Sequence, residues 1–284
     1  MEYPFALVDV FAASPLGGNP LAVVAGPVPD ALMPRIAAEF NQSETTFVMP
    51  PTQPRADWRL RSFTAAGVEV FGAGHNALGA WWWLVASGRV TVTGDRTLVH
   101  QEIGSQVLPV VITGDGIIMT QGAPEFGAST RDTTSLAAAL GLSAQDLIAP
   151  GLPIQVVSTG AAHLLVPARD AATVDRARPD FARLLSVLQS LGGEGCYLFT
   201  LDGRISARFF NPTVGLWEDP ATGTAAGPLS CYLLRYGRVA AGEHIQIAQG
   251  RAMGRPSLIE VRVNETAPEI IGRGIIVAEG VLRL

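Results

Sequence analysis

At 284 residues, with 48% hydrophobic and 16% charged residues, the chain suits one large domain or two ordinary ones and is too apolar to be disordered. Its net charge of −5 comes without any Lys/Arg cluster, and all 20 basic residues are arginine, which argues against nucleic acid or an acidic membrane surface as a partner. No apolar run approaches the roughly 18 residues of a membrane span, and Met1-Glu2-Tyr3-Pro4 lacks the basic-then-apolar pattern of a secretory leader, so a cytoplasmic protein is expected, with Cys196 and Cys231 as free buried thiols.

In chain order, partly β-branched alternation over Phe5 to Ala12 predicts a first strand, Ser14 to Pro20 a loop, and Leu21 to Ala25 a second strand. Asp30 is expected to cap a helix running to Phe40, with Pro34 harmless in its first turn. Asn41 to Val48 turns into another strand, and Trp58 to Phe63 adds one more. Strands are expected at Val90–Thr93, Thr97–Gln101, Val107–Thr113 and Gly116–Gln121, and the Gly-, Pro- and Ser-rich stretch Pro124 to Arg131 as a boundary. Short helices follow at Thr134–Leu140 and Ser143–Leu147, then strands at Ile154–Ser158 and His163–Val166. A helix is predicted from Pro179, at its first position, to Leu191. Gly195–Thr200 and Arg204–Phe210 read as strands, Thr224–Tyr236 as a helix, and Ile245–Ala248, Ser257–Val263 and Ile275–Leu282 as closing strands.

The most informative stretch is Glu69-Val70-Phe71-Gly72-Ala73-Gly74-His75-Asn76, followed by an apolar run with three consecutive tryptophans, Trp81 to Trp83. It reads as strand, glycine-rich turn and helix start, and a helix apolar nearly all round belongs inside a protein. The unpaired N–H groups at such a start favour a carboxylate or phosphate. At an offset of 149, Gly74-His75-Asn76-Ala77 faces Gly223-Thr224-Ala225-Ala226, Leu84 faces Leu233 and Arg89 faces Arg238. Upstream, Ser62-Phe63-Thr64-Ala65 resembles Phe209-Phe210-Asn211-Pro212. The fold class expected is α+β: two pseudo-symmetric halves, each a mixed, mostly antiparallel sheet with one central apolar helix, not a regular βαβ series. The halves are placed at residues 1–125, joined by the closing strand 272–284, and 126–271.

Gly72-x-Gly74-x-x-Ala77 satisfies a loose dinucleotide fingerprint, but four or five strands precede it and hairpins follow, so nucleotide binding is not expected. His75, at the start of a helix, is expected to be a neutral imidazole able to exchange protons. Glu44 enters an apolar strand; buried, its pKa would rise toward that of a general base for a C–H proton. Asp219 lies four residues before Gly223 and is read as a further acid/base group or a partner for His75. His100, His163 and His244 have no such setting and read as structural or surface residues. No His/Cys/Asp/Glu cluster has metal spacing, so no metal is expected.

Gly18-Asn19-Pro20, Asn41-x-Ser43-Glu44-Thr45-x-Phe47-Val48, Phe63-Thr64, Glu69-Val70, Gly74-His75 and Glu218-Asp219-Pro220-x-Thr222-Gly223-Thr224, in this order across nearly the whole chain, resemble the PhzF-like family of phenazine-biosynthesis isomerases, which shares the fold of diaminopimelate epimerase. The resemblance implies sheets curled round central helices, an active site between the halves, a homodimer, a small anionic metabolite as partner and no cofactor. It also implies Glu44 as the proton shuttle, His75 and Asp219 as supporting acid/base residues, and Ser43, Gly74, Asn76, Gly223 and Thr224 as substrate-binding positions. The family's best-studied reaction moves a proton within trans-2,3-dihydro-3-hydroxyanthranilate. The chain differs from the pattern at Ala65, where proline is common, at Thr224, where serine is usual, and at Asn76, where a smaller residue is common. Two-thiol racemases of this fold carry cysteines where Ala73 and Thr222 stand, which excludes their chemistry. The alternative to an isomerase is a non-catalytic small-molecule binder on the same scaffold.

Overall fold

The computed structural model describes residues 1–284, which divide into two compact units: Met1–Thr120 with Ile271–Leu284, and Gln121–Ile270. The first holds β1 (Glu2–Val10), β2 (Asn19–Ala25), α1 (Met33–Phe40), β3 (Glu44–Met49), β4 (Trp58–Thr64), β5 (Glu69–Val70), α2 (His75–Ala86), β6 (Arg96–Ile103), β7 (Gln106–Thr113) and β8 (Gly116–Thr120). The second runs through β9 (Glu125–Thr130), α3 (Thr133–Leu140), β10 (Ile154–Ser158), β11 (Ala162–Pro167), α4 (Ala171–Arg176), α5 (Phe181–Leu191), β12 (Gly195–Thr200), β13 (Ser206–Asn211), β14 (Leu216–Asp219), α6 (Gly223–Arg235), β15 (His244–Gln249) and β16 (Ser257–Arg262), and β17 (Glu269–Gly272) straddles the boundary after Ile270. The last strand, β18 (Gly274–Arg283), returns to pair antiparallel with β1.

The internal repeat is visible in the signs of the strand pairings. In the first unit β1·β2 is antiparallel, β2·β3 parallel, β3·β4 and β4·β5 antiparallel, β4·β6 parallel and β6·β7 antiparallel. In the second, β10·β11, β11·β12, β12·β13, β13·β14, β13·β15 and β15·β16 repeat that series sign for sign. The fold is thus α+β with mixed, mostly antiparallel sheets, and α2 and α6 occupy equivalent places between the fifth and sixth strands of each series.

Helix α2 touches β1, β2, β3, β4, β8 and β18. Strands lie about 4.8 Å apart and a helix is only about 10–12 Å across, so six strands reach one helix only if the sheet curls around it. Trp81 and Trp83 are buried in this curl, while Trp82 is partly exposed. The Trp81 indole N–H donates to Oε1 of the buried Gln101 at 2.9 Å, so its polar end is paired as well. The opposite sheet face packs on α1, where Phe47, Met49 and Phe63 meet Met33, Ile36 and Ala37. Strand β2 is therefore apolar on both faces, which is why Leu21–Ala25 shows no alternation. In the second unit, α3 and α5 pack on the sheet through Leu136, Leu140, Leu184 and Leu188.

Several local expectations give way. Helix α1 starts at Met33, and Asp30 pairs with Arg61 at 2.8 Å instead of capping. Residues Val90–Thr93 form no strand: the N–H groups of Arg89 and Val90 both close back onto the Leu84 carbonyl at the end of α2. Residues 125–130, within the expected boundary, form β9, which pairs with β10. Pro179 precedes α5, whose cap is Asp180, accepting from the Arg183 N–H. Helix α4, strand β14 and strand β17 are additions. No helix is long and apolar enough to cross a membrane.

Trp81→Ala should cost about 3–5 kcal/mol of stability, the usual range for removing a large buried aromatic, and Trp82→Ala distinctly less. Urea denaturation of the two variants checks the order; equal losses would mean that α2 is not held as described.

Candidate active site

Alternation along β3 turns Thr45, Phe47 and Met49 toward α1, and Glu44, Thr46 and Val48 toward the start of α2. Thr46 Oγ1 lies 2.9 Å from Ser62 Oγ, its cross-strand neighbour on β4, and 3.4 Å from the Asn76 carbonyl. Asn76 ties the glycine-rich turn to this patch. Its Oδ1 accepts from the Gly74 N–H at 2.8 Å, and its Nδ2 donates to Ser62 Oγ and the Gly72 carbonyl, both at 3.0 Å. The side chain expected to bind substrate is engaged in holding the turn, and so is the Gly74 N–H.

The helical ladder of α2 begins with Leu78 N–H bonding the Gly74 carbonyl at 3.1 Å, and no side chain caps the first turn. The N–H groups of Asn76 and Ala77 therefore have no intrahelical acceptor, which favours negative charge beside them. Ser43 Oγ donates to Oδ1 of Asn19 at 3.2 Å. Asn19 is fully buried at the start of β2, behind Gly18, whose φ of +64° and the Val10 carbonyl 2.3 Å from any added Cβ admit only glycine.

His75, the first residue of α2, places Nε2 2.8 Å from Oε2 of Glu44, the first residue of β3. Both side chains are largely buried. Burial alone raises the Glu44 pKa, but the charge of His75 and its hydrogen bond to the carboxylate oppose that, and the net result lies below the ordinary value of 4.5. This corrects the expectation of a carboxyl raised toward neutrality, which took no account of the imidazole. Glu44 is ionised at neutral pH, the state in which a carboxylate accepts a proton.

In the second unit Asp219 ends β14 and is buried. Its Oδ2 accepts from the Thr222 hydroxyl at 2.5 Å, and Gln249 Nε2 donates to the Asp219 carbonyl at 2.7 Å and to Thr222 Oγ1 at 3.0 Å. Tyr197 OH donates to Gln249 Oε1 at 2.9 Å, and its pKa is pushed up by burial and then by the charge of Asp219. Gly223 opens α6, its carbonyl accepting from Gln121 Nε2 at 2.9 Å, and no side chain caps this helix either. Pro228 stands inside α6, removing the N–H that would have bonded the Thr224 carbonyl. The Thr224 hydroxyl lies 3.4 Å from Nε2 of His163, a fully buried ring. His163 is thus not a surface residue.

The sequence reading missed Gln249, Tyr197, Gln121 and the surroundings of His163; none sits in a recognisable local pattern. It also missed a pair that did leave a signal, Arg-x-Phe before each turn. Arg61 grips Glu69 through two bonds of 2.7 and 2.8 Å and lies over Phe63, and Arg208 grips Glu218 through two bonds of 2.8 Å and lies over Phe210. No group of His, Cys, Asp and Glu residues has the makings of a metal site. Cys196 and Cys231 are free and buried, and burial pushes the Cys196 thiol up to about 12.

Comparison with known proteins places these features in a family. Residues 8–280 match the family described as phenazine biosynthesis-like protein. A trans-2,3-dihydro-3-hydroxyanthranilate isomerase of Pseudomonas chlororaphis is 33% identical over 99% of both chains. The solved structure of a predicted epimerase from Pseudomonas aeruginosa is 36% identical with a TM-score of 0.84 over 99% of both chains. That of a PhzF-family phenazine biosynthesis protein from Bacillus anthracis is 26% identical, with a TM-score of 0.88 over the full length of both.

The lowered pKa of Glu44 has a sign. Its charged form is favoured by folding, so its contribution to stability is present above the unfolded value of about 4.5 and is lost as pH falls through the folded value. Urea midpoints measured from pH 7 down to pH 3 should show the wild type converging on Glu44→Gln below about pH 4.5; a constant gap would contradict the pairing.

Proposed function

This chain belongs to the phenazine biosynthesis-like protein family, and we propose that it is a cofactor-independent isomerase moving a proton, by general acid/base catalysis, within a small cyclic carboxylate. That it is an isomerase follows from its kinship with named isomerases over essentially the whole chain. The observation that carries the mechanism is the Glu44–His75 contact of 2.8 Å at the uncapped start of α2.

Glu44, ionised at rest, removes a proton from a ring carbon. The electron pair left behind spreads into the conjugated system, and the negative charge it carries toward the substrate's electron-withdrawing end is favoured by N–H groups at a helix start. Glu44, now a carboxylic acid whose proton exchanges with solvent, delivers a proton to a different ring carbon, which moves the double bond. Substrate and product have the same composition and oxidation level, so the step calls for no external electron carrier. His75 holds the carboxylate in place and steadies its charge between the two transfers. Asp219 is proposed as a further acid/base residue, and Ser43, Gly74, Gly223 and Thr224 as substrate-binding positions. A homodimer, a cytoplasmic location and a small anionic metabolite as partner complete the proposal; the homodimer and the metabolite rest on family resemblance.

The test is incubation in deuterated water with trans-2,3-dihydro-3-hydroxyanthranilate and a panel of related cyclic amino carboxylates. One compound should isomerise and gain deuterium by mass spectrometry. Glu44→Gln should lower that rate about 10²–10⁴-fold, the usual worth of a positioned acid/base group, with the fold intact by circular dichroism. Binding without exchange in either version would mean a non-catalytic binder.

A further inference from the structure

The second unit contains a titratable side chain that the proposed mechanism leaves without a task. His163, on β11, is 2% exposed, and its Nδ1 has no hydrogen-bond partner. The ring stands edge-on to Phe209 at 4.9 Å, and its parallel-strand neighbour is Gly195. A Cβ at Gly195 would come within 3.2 Å of Nδ1 and 2.5 Å of the Phe209 ring, so the glycine is what leaves room for the imidazole. On its other side, Nε2 meets Thr224 Oγ1 at 3.4 Å. Thr224 is the partly exposed residue in the first turn of α6, with Thr222, Gly223, Ala225 and Ala226 buried around it. We infer that His163 is a positioning residue that donates from Nε2 to the Thr224 hydroxyl and so turns that hydroxyl's own proton toward an anionic oxygen of the substrate.

The reasoning is one of donors and acceptors. Burial pushes the His163 pKa down to about 4, leaving a neutral ring with one N–H and one lone pair. A proton on Nδ1 would be a buried donor facing Gly195 with nothing to accept it, the rarer and costlier kind of orphan. A proton on Nε2 finds the Thr224 oxygen. A hydroxyl has one proton and two lone pairs, so once it accepts from His163 its proton is free for an outside acceptor. The Gly223 and Thr224 N–H groups, lacking a capping side chain, add to the same polarity. The first turn of α6 then aims the Thr224 hydroxyl proton and uncapped N–H groups at the substrate. It would favour a carboxylate over an ammonium. This rests on the proposed role of Thr224 in binding substrate.

Two measurements decide it. Histidine-selective ¹⁵N labelling and a long-range proton–nitrogen correlation spectrum at pH 7 should show the His163 Nε2–H tautomer, assigned by its loss in His163→Phe, or in His163→Gln if the first variant does not fold. An Nδ1–H tautomer or a charged ring overturns the inference. With trans-2,3-dihydro-3-hydroxyanthranilate as substrate, His163→Phe should raise KM roughly 10-fold with kcat within about threefold, the pattern of a lost binding hydrogen bond. Thr224→Val should do the same, and the double variant should be no worse than either single one. Effects that multiply overturn the inference. If the wild type leaves this compound unchanged, the proposed substrate fails, while the spectrum still decides for or against the tautomer.

Discussion

A carboxylate 2.8 Å from an imidazole, the first at the head of β3 and the second at the head of α2, is the contact on which the proposed chemistry depends. Glutamate in so enclosed a place would ordinarily take up a proton, because burial penalises its charge. The imidazole reverses that outcome. The result is a carboxylate that is both ionised and shielded, a combination a solvated surface glutamate does not offer. Its geometry depends in turn on how firmly the start of α2 is held, which is why the buried tryptophans of that helix matter to the site although none touches it.

The holding is done twice, by different means. From below, a sheet curled around α2 leaves the helix little freedom to slide, since Trp81 and Trp83 fill its interior. From above, Asn76 uses both amide protons and one lone pair of Oδ1 on the turn and on Ser62, so the backbone entering the helix is pinned to β4. The second unit solves the same problem with other residues. There Gln249 links Tyr197, Thr222 and the Asp219 carbonyl ahead of α6. In both units a two-bond arginine–glutamate pair closes the strand pair just before the turn, as Arg61–Glu69 and Arg208–Glu218. Such fork-to-fork pairs fix orientation as well as distance.

How much of this was readable in advance depended on range. The central helices, the glycine turns and the repeat were legible because they are local: small residues at a helix start followed by an unbroken apolar run leave few alternatives. The paired signs of the strand ladder extend the repeat far beyond the few residues that matched at an offset of 149. What failed was decided by partners distant in sequence. Asp30 looked like a cap but is drawn to Arg61. The Glu44 pKa was misjudged because its controlling neighbour is 31 residues away. His163 was passed over because nothing around it in sequence shows that Gly195 clears a space for it.

The repeat also shows where symmetry stops. Glu44 begins β3, beside Leu21 on β2 and Thr64 on β4; Gly195 begins β12, beside His163 on β11. The strand position that carries Glu44 in one unit is thus a glycine in the other, and it cannot be refilled, because the Phe209 ring and His163 already occupy the space of a side chain. Racemisation at a single carbon by two equivalent bases calls for a proton acceptor at matching positions of both halves, and Ala73 and Thr222 supply no thiol in their place. The proposed reaction needs only one such carboxylate, paired to one imidazole, because it takes a proton from one carbon and delivers one to another. The two units keep helix starts of like polarity but differ at the strand position of Glu44 and Gly195, and the proposed isomerisation uses that difference.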